Sequence, residues 1–278
     1  MVDLVIHWAL ILTLAGADAG PLVDDGVDGI GPSAEPPATS FSLDSLGAEQ
    51  AVLVTTRSWQ DSVAVLTRHE RVGGKWMQLG PAIEVVVGES GLGWGLGLHP
   101  LGVGEPRKTE GDGRAPAGVF RLMNAFGPRS PPFKTRMPWL STRASLVCVD
   151  DPRGGAYNRL VDEERAAQTP VADAGTESPA PTYRSAERLL RDDGLYEIGV
   201  LVDQNGAGDT DARVIPGRGS CVFLHIWKRK GRSTQGSTAM ARPDLEKLVE
   251  WLDPARKPVL VQLPREELIK RRAPWRLP

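Results

Sequence analysis

Residues 219–264 read GSCVFLHIWKRKGRSTQGSTAMARPDLEKLVEWLDPARKPVLVQLP, and this stretch decides the fold that we expect. The apolar run at 221–227 follows a glycine, as buried strands often do, and a polar, basic loop fills 228–235. Residues 241–253 carry apolar side chains at helical spacing, and 259–263 form a second β-branched run. The apolar face of the predicted helix comprises Leu245, Leu248, Val249 and Leu252. The stretch therefore predicts the order strand, loop, helix, strand.

Two features of this stretch suit catalysis. It places His225 on the first strand and Gly236-Ser237 in the turn just before the helix. A nucleophile at a strand-to-helix turn is exposed and faces backbone N–H donors, which favours acyl transfer. Histidine accepts a proton near neutral pH, so we expect His225 to act as a general base. His99 follows a glycine-rich segment and is the one rival for that role.

The arrangement resembles the catalytic core of the L,D-transpeptidase family, the YkuD domain of bacterial cell walls. Family members carry a His on a strand and then a Ser/Thr-x-Gly-Cys turn whose Cys is the nucleophile. The matching residues are His225, Thr234, Gly236 and Ser237, so a serine stands at the cysteine position. Three further features differ from the family pattern. Gln235 replaces a second His, the Arg that often follows the Cys is absent, and the spacing from His to nucleophile is short.

A second stretch, KTEGDGRAPAGVF at residues 108–120, is similar to a segment that the family carries upstream of its catalytic residues. The resemblance covers residues 50–264. It implies that Gly236 and Ser237 supply oxyanion N–H groups, and we expect a set of side chains to bind substrate. That set is Arg114, Trp227, Thr234, Tyr157 and Asn158. The alternative for Arg114 is that it and Asp112 only stabilise their own turn.

The resemblance implies a mostly β fold with short helices, a β-sandwich of the L,D-transpeptidase type with one helix packed after the nucleophile turn. It implies action on peptidoglycan stem tetrapeptides through an acyl-enzyme, with no metal and no cofactor. Three explanations for Ser237 stay open: a deliberate Cys→Ser replacement, a natural loss of activity, and a working serine hydrolase. We favour an inactive or impaired form. The alternatives are an L,D-carboxypeptidase and a non-catalytic peptidoglycan-binding pseudoenzyme.

Composition limits the class of protein. The chain has 278 residues, 41% hydrophobic and 24% charged, with a net charge of -2, which gives no basic footprint for nucleic acid. We expect a signal peptide at residues 1–19, and therefore export to the periplasm or cell envelope, with no membrane span in the mature chain. A disordered tether is predicted at 20–48 and the catalytic domain at 49–264, with an insertion at 161–184. A solvated basic tail is predicted at 265–278.

The remaining predictions concern secondary structure and the two cysteines. Four closely spaced runs predict an antiparallel meander, and further strands are expected at 119–123, 146–149 and 196–202. The four runs are residues 51–56, 62–69, 75–79 and 83–87. Residues 185–190 predict a short helix. Cys148 and Cys221 each lie in an apolar run, and either two buried thiols or one disulfide fits them.

Overall fold

The computed structural model describes residues 41–100, 104–168, 182–208 and 213–278, and these are mostly β with a few short helices. That part of the fold prediction is confirmed, while the L,D-transpeptidase type of packing stays a prediction. The strands are β1 (Gln50–Thr56), β2 (Val63–Val72), β3 (Lys75–Val86), β4 (Leu92–Trp94), β5 (Ala115–Gly127), β6 (Trp139–Ser141), β7 (Leu146–Val149), β8 (Leu160–Asp162), β9 (Ala186–Arg188), β10 (Gly199–Val202), β11 (Phe223–Ile226), β12 (Thr238–Met240) and β13 (Val259–Pro264). The helices are α1 (Leu43–Leu46), α2 (Glu163–Gln168), α3 (Arg242–Trp251) and α4 (Arg265–Arg271).

Most strands belong to one large sheet that closes on itself. Its order is β10-β11-β12-β3-β2-β1-β13-β5-β4, and β10 also pairs with β5, so that eight of these strands form a ring. β1 lies parallel to β13, and β13 lies antiparallel to β5. Ring closure leaves few free edges and encloses one apolar core. The largest fully buried side chains of that core include Phe120, Leu66, Leu92 and Leu245.

The predicted meander is β1-β2-β3, and its strands pair antiparallel as expected, but the runs at 75–79 and 83–87, predicted as two strands, form the single strand β3. Gly73 and Gly74 both adopt positive φ in the β2-β3 turn, a conformation that glycine enters without steric cost. Along β2, Val63 and Val65 are exposed while Ala64 and Leu66 are buried. This alternation is what a strand with one face toward a core requires.

The helix predicted at 241–253 is α3, which buries Leu245, Leu248 and Val249. Pro243 lies in its first turn, where its missing N–H costs nothing. The prediction that the nucleophile turn leads directly into this helix is wrong. The short strand β12 lies between Ser237 and α3, because Thr238–Met240 pairs with β11 and β3.

Both ends of the predicted domain need correction. Residues 41–48 were assigned to a disordered tether, but Ser42 caps α1 and Leu43 is fully buried, with its N–H bonded to Trp275 O at 2.9 Å. The predicted solvated tail instead contains α4, and Trp275 and Leu277 are buried. Burial of these large apolar side chains outweighs the basic composition that suggested solvation. The signal peptide and residues 20–40 of the tether lie outside the described residues.

A second, three-stranded sheet has the order β8-β7-β9. The predicted helix at 185–190 is wrong, because Ala186–Arg188 forms β9 and pairs with β7. The predicted insertion at 161–184 is partly structured, since Leu160–Asp162 forms β8 and α2 follows it. Residues 169–181 of that insertion lie outside the described part. A Cys148–Cys221 disulfide joins this sheet to the segment entering β11, so of the two alternatives the disulfide is correct.

Candidate active site

Two adjacent parallel strands place the catalytic candidates. β11 and β12 pair with His225 opposite Ala239, and Ser237 directly precedes β12. Paired residues in a parallel sheet point to the same face, and side chains two residues apart share a face. His225 and Ser237 therefore face one way, and both line the same cleft. The structure thus brings together the two residues that the sequence singled out.

The turn before β12 is held by hydrogen bonds of Thr234. Its hydroxyl donates to Ser237 O at 2.5 Å and accepts the Gly236 N–H at 3.1 Å. Gly236 has φ +152, and a Cβ there would lie 3.1 Å from Arg114 O, so the turn needs glycine. The Gly236 N–H is thus engaged within the turn and does not point freely at a substrate, a correction to its predicted oxyanion role. Ser237 N–H has no hydrogen-bond partner in the described ranges.

The hydroxyl of Ser237 accepts a hydrogen bond from Phe223 N–H at 3.1 Å. This N–H lies on the strand that carries His225, two residues upstream. A thiolate at the same position would accept the same bond, which favours the ionised form of a cysteine there. No hydrogen bond between Ser237 and His225 occurs among the described residues, and catalytic hydrogen bonds are often long before substrate binds.

His225 is buried, with 7% of its surface exposed, and its tautomer follows from its partner. Nδ1 lies 2.8 Å from Ile226 O, and a carbonyl oxygen only accepts, so Nδ1 carries the proton. The unprotonated Nε2 has no hydrogen bond within the described part of the chain. Burial lowers the pKa of His225 to about 4; the Ile226 carbonyl opposes this and Arg191 adds to it. At neutral pH the imidazole is therefore neutral.

The cleft itself measures about 720 Å³ and is strongly charged. Of the predicted site residues, it is lined by Ser237, His225, Gly236, Thr234 and Trp227. The charged residues of its walls are Glu89, Glu110, Asp150, Glu187, Lys108, Arg191, Lys228 and Arg232. Acidic and basic groups in equal number fit a substrate that carries both signs of charge, as peptides with free carboxylates and amines do.

The charged residues are not equally available to a ligand. Lys108 Nζ bonds to Asp112 at 2.6 Å and is nearly buried, and Arg191 bonds to Asp193 at 2.5 Å. Lys228 and Arg232 are exposed on the loop between β11 and β12, and neither has a salt bridge to a described residue. The loop that joins the histidine strand to the Ser237 turn therefore presents the cations most open to an anionic ligand.

Three predicted substrate-binding residues do not reach the cleft. Asn158 is 1% exposed; its side chain donates to the carbonyls of Gln204 and Asn205 and accepts Cys221 N–H at 3.0 Å. Asn158 is buried and joins separate backbone segments, so the prediction that it binds substrate was wrong. Tyr157 is also buried, and its hydroxyl bonds to Glu110, a wall residue of the cleft.

Arg114 has the structural role that was left open as its alternative. Its guanidinium donates to Ser90 O at 2.8 Å and Leu92 O at 2.9 Å, while its backbone N–H bonds to Asp112. It does not line the cleft. The residues that sequence reasoning missed are Tyr196, whose ring packs against His225, and Glu187, which bonds to Tyr196 and lines the same cleft. No local pattern marks them, because a long-range strand pairing brings them there.

His99 is not a rival base. It is 3% exposed, its Nδ1 accepts Val119 N–H at 3.1 Å, and its ring packs between Trp94, Phe120 and Trp275. Burial lowers its pKa to about 4. It belongs to the core.

Neither a metal centre nor a membrane helix is found in the described part of the chain. No group of three or more His, Cys, Asp or Glu side chains there could hold a metal ion. None of the described helices has the length and apolar character needed to cross a membrane.

Comparisons with known proteins give one distant similarity. No protein-family model matches the chain, and no curated protein matches it. A solved structure of the helical cell shape determining protein Pgp2 from Campylobacter jejuni is similar at 13% sequence identity and a TM-score of 0.33. The match covers 77% of this chain and 47% of that one. A likeness this distant carries no argument about the fold or the activity of the chain.

Proposed function

We propose that the chain is an exported, peptidoglycan-modifying protein of the L,D-transpeptidase type that acts on stem tetrapeptides and is impaired because Ser237 occupies the nucleophile position. One observation carries the proposal. His225, fixed in the tautomer that leaves Nε2 free, shares a charged cleft with a residue whose side-chain oxygen receives a backbone N–H bond. The disulfide supports export, because such bonds persist in oxidising compartments.

In a Ser237→Cys form the cleft residues have defined roles. Nε2 of His225 takes the thiol proton while the sulfur attacks the carbonyl of the third stem residue. We assign stabilisation of the negative oxygen that forms to the backbone N–H of residue 237. His225 returns the proton to the nitrogen of the terminal D-alanine as the C–N bond breaks, leaving a thioester. An amine of another stem completes a transpeptidase reaction, and water completes a carboxypeptidase reaction.

The serine form lacks what a Ser-His pair needs. The Nδ1 of His225 rests on a carbonyl and not on a carboxylate that would stabilise the imidazolium. With a pKa near 4, His225 holds a proton less well than a solvated histidine by roughly 3 kcal/mol. A hydroxyl also loses its proton less readily than a thiol. The low proton affinity of His225 and the low acidity of the serine hydroxyl therefore both oppose proton transfer. The serine form is therefore suited to binding substrate without turnover, which favours a non-catalytic peptidoglycan-binding protein as the second candidate.

The test compares the unaltered protein with Ser237→Cys on disaccharide tetrapeptide and free tetrapeptide stems, with products identified by mass spectrometry. We expect release of D-alanine only from the cysteine form, with cross-linked dimers or tripeptides showing whether amine or water is the acceptor. Ser237→Ala controls for background, and Ser237→Cys/His225→Gln should lose about 10²–10⁴-fold in kcat. An inactive Ser237→Cys that neither forms a thioester nor binds stems would refute the proposal.

Robust turnover by the serine form, lost in Ser237→Ala, would instead identify a serine hydrolase. Stem binding without turnover in either form would identify the binding protein. The unaltered protein, Ser237→Cys and Ser237→Ala, assayed for turnover and for stem binding by calorimetry, therefore separate the three candidates.

A further inference from the structure

Tyr196 is the aromatic residue that covers the candidate base. Its ring packs edge-on against the His225 imidazole, with centroids 5.2 Å apart and planes at 79°. The same ring contacts Phe126 and Phe223 at 5.8 and 5.5 Å, so it is fixed within a buried aromatic group. A ring in this position keeps water away from one side of the imidazole.

The hydroxyl end of Tyr196 is anchored to the three-stranded sheet. It donates to Glu187 Oε1 at 2.5 Å, and Glu187 stands on β9 opposite Cys148. Arg191 lies over the tyrosine ring, 5.1 Å from its centroid, and 3.6 Å from the Glu187 carboxylate. A hydrogen bond to a charged acceptor is stronger than one between neutral groups. The aromatic contacts therefore hold the ring of Tyr196, and the bond to Glu187 holds its hydroxyl.

We propose that Tyr196, anchored by Glu187, is a positioning residue for His225: it keeps Nδ1 on the Ile226 carbonyl and leaves Nε2 open to the cleft. The catalytic consequence rests on the proposed function. The charges that act on the imidazole are Arg191 and Asp193, which have opposite effects on its proton affinity. Burial, to which the tyrosine ring contributes, has the largest effect on that affinity, and the Ile226 carbonyl opposes it.

The first experiment needs no substrate. A pH titration of ¹⁵N-labelled histidines by NMR reads the tautomer and proton affinity of His225 in the unaltered protein, with His225→Gln to assign its signals. We expect the neutral Nδ1–H form down to about pH 4. Tyr196→Leu should raise the midpoint by about one pH unit or more toward 6.5, and Tyr196→Phe, which keeps the ring without its anchor, by less.

Tyr183→Phe is the matched control. Tyr183 also donates its hydroxyl to a glutamate, Glu163 at 2.6 Å, but it makes no ring contact with His225. It should leave the His225 midpoint unchanged. If Tyr196→Leu does not fold, Glu187→Gln and Tyr196→Phe carry the test, with shifts expected in the same direction.

The second experiment measures turnover in the Ser237→Cys background. Tyr196→Leu should lower kcat by about 10-fold or more and change KM by less than about twofold, because a misplaced Nε2 slows the chemical step by more than the higher proton affinity of His225 speeds it. An unchanged His225 midpoint in the Tyr196 variants, or an equal shift in Tyr183→Phe, overturns the inference. If Ser237→Cys has no activity, the proposed function fails, while the titration still decides whether Tyr196 positions His225.

Discussion

The disulfide offers the sharpest prediction about stability. Cys148 and Cys221 are 73 residues apart in sequence, and the cross-link restricts the unfolded chain over that loop. The loop-entropy relation gives roughly 4 kcal/mol for a loop of this length at 25 °C. Cys148→Ala/Cys221→Ala also removes two buried sulfur atoms, at about 1 kcal/mol for a small cavity. The cross-link is therefore the larger of the two effects.

Urea unfolding followed by tryptophan fluorescence measures the loss. We expect the double alanine variant to be less stable by about 5 kcal/mol, and the unaltered protein under a phosphine reductant by about 4 kcal/mol. Reduction keeps both sulfur atoms in place, so it isolates the cross-link from the cavity. A loss below about 1 kcal/mol in both samples would refute the loop-entropy reasoning, because native-state strain would then have cancelled it.

Reduction of the disulfide should also affect the candidate active site. Cys221 has φ +53, a conformation rare for a residue with a Cβ, and it is held by the disulfide and by Asn158. Phe223, two residues on, donates to Ser237. Hydrogen exchange at the Phe223 amide should therefore accelerate on reduction before the protein unfolds globally. Unchanged exchange there would show that Asn158 alone holds the segment.

The remaining predictions concern the terminus, the loop and the core histidine. Trp275→Ala should lower the free energy of unfolding by ~3 kcal/mol in urea melts, whereas Ile269→Ala, on the exposed face of α4, should have almost no effect. Arg232→Gln should weaken binding of a free-acid stem tetrapeptide by about 2- to 5-fold at low salt in calorimetry, and Arg229→Gln, outside the cleft, should not. Stability should fall as pH drops from 6.5 to about 4, because the unfolded state binds protons that His69, His99 and His225 do not bind when folded. His99→Gln should make that slope shallower in thermal melts, and an unchanged slope would contradict the reasoning.

Local pattern was enough to predict much of the fold. The meander follows from the alternation along β2 and from Gly73-Gly74, and α3 follows from the spacing of Leu245, Leu248 and Val249. These signals lie within a few residues of one another, so the local sequence pattern is enough to predict the elements that they form. The same holds for His225, whose position on a strand was predicted.

The failures depend on specific contacts, two of them between residues far apart in sequence. β9 was predicted as part of a helix at 185–190 from its local pattern, yet its backbone pairs with β7, far away in sequence. Residues 265–278 were predicted to be solvated because they are basic, yet Trp275 lies against Trp94 and Phe41, which are distant in sequence. The Gly236 N–H was assigned to a substrate, yet Thr234 takes it within the turn. In each case the observed structure depends on contact with a particular residue or strand, and composition does not reveal which one that is.

The three-stranded sheet links these outcomes to the chemistry. It contacts the candidate site through two neighbouring positions, since Cys148 and Glu187 face each other across β7 and β9. One forms the covalent bond to Cys221 and so fixes the segment whose Phe223 N–H reaches Ser237. The other anchors Tyr196 against His225. The sheet therefore supports both halves of the Ser237–His225 pair from one side, although the sequence marked part of it only as an insertion.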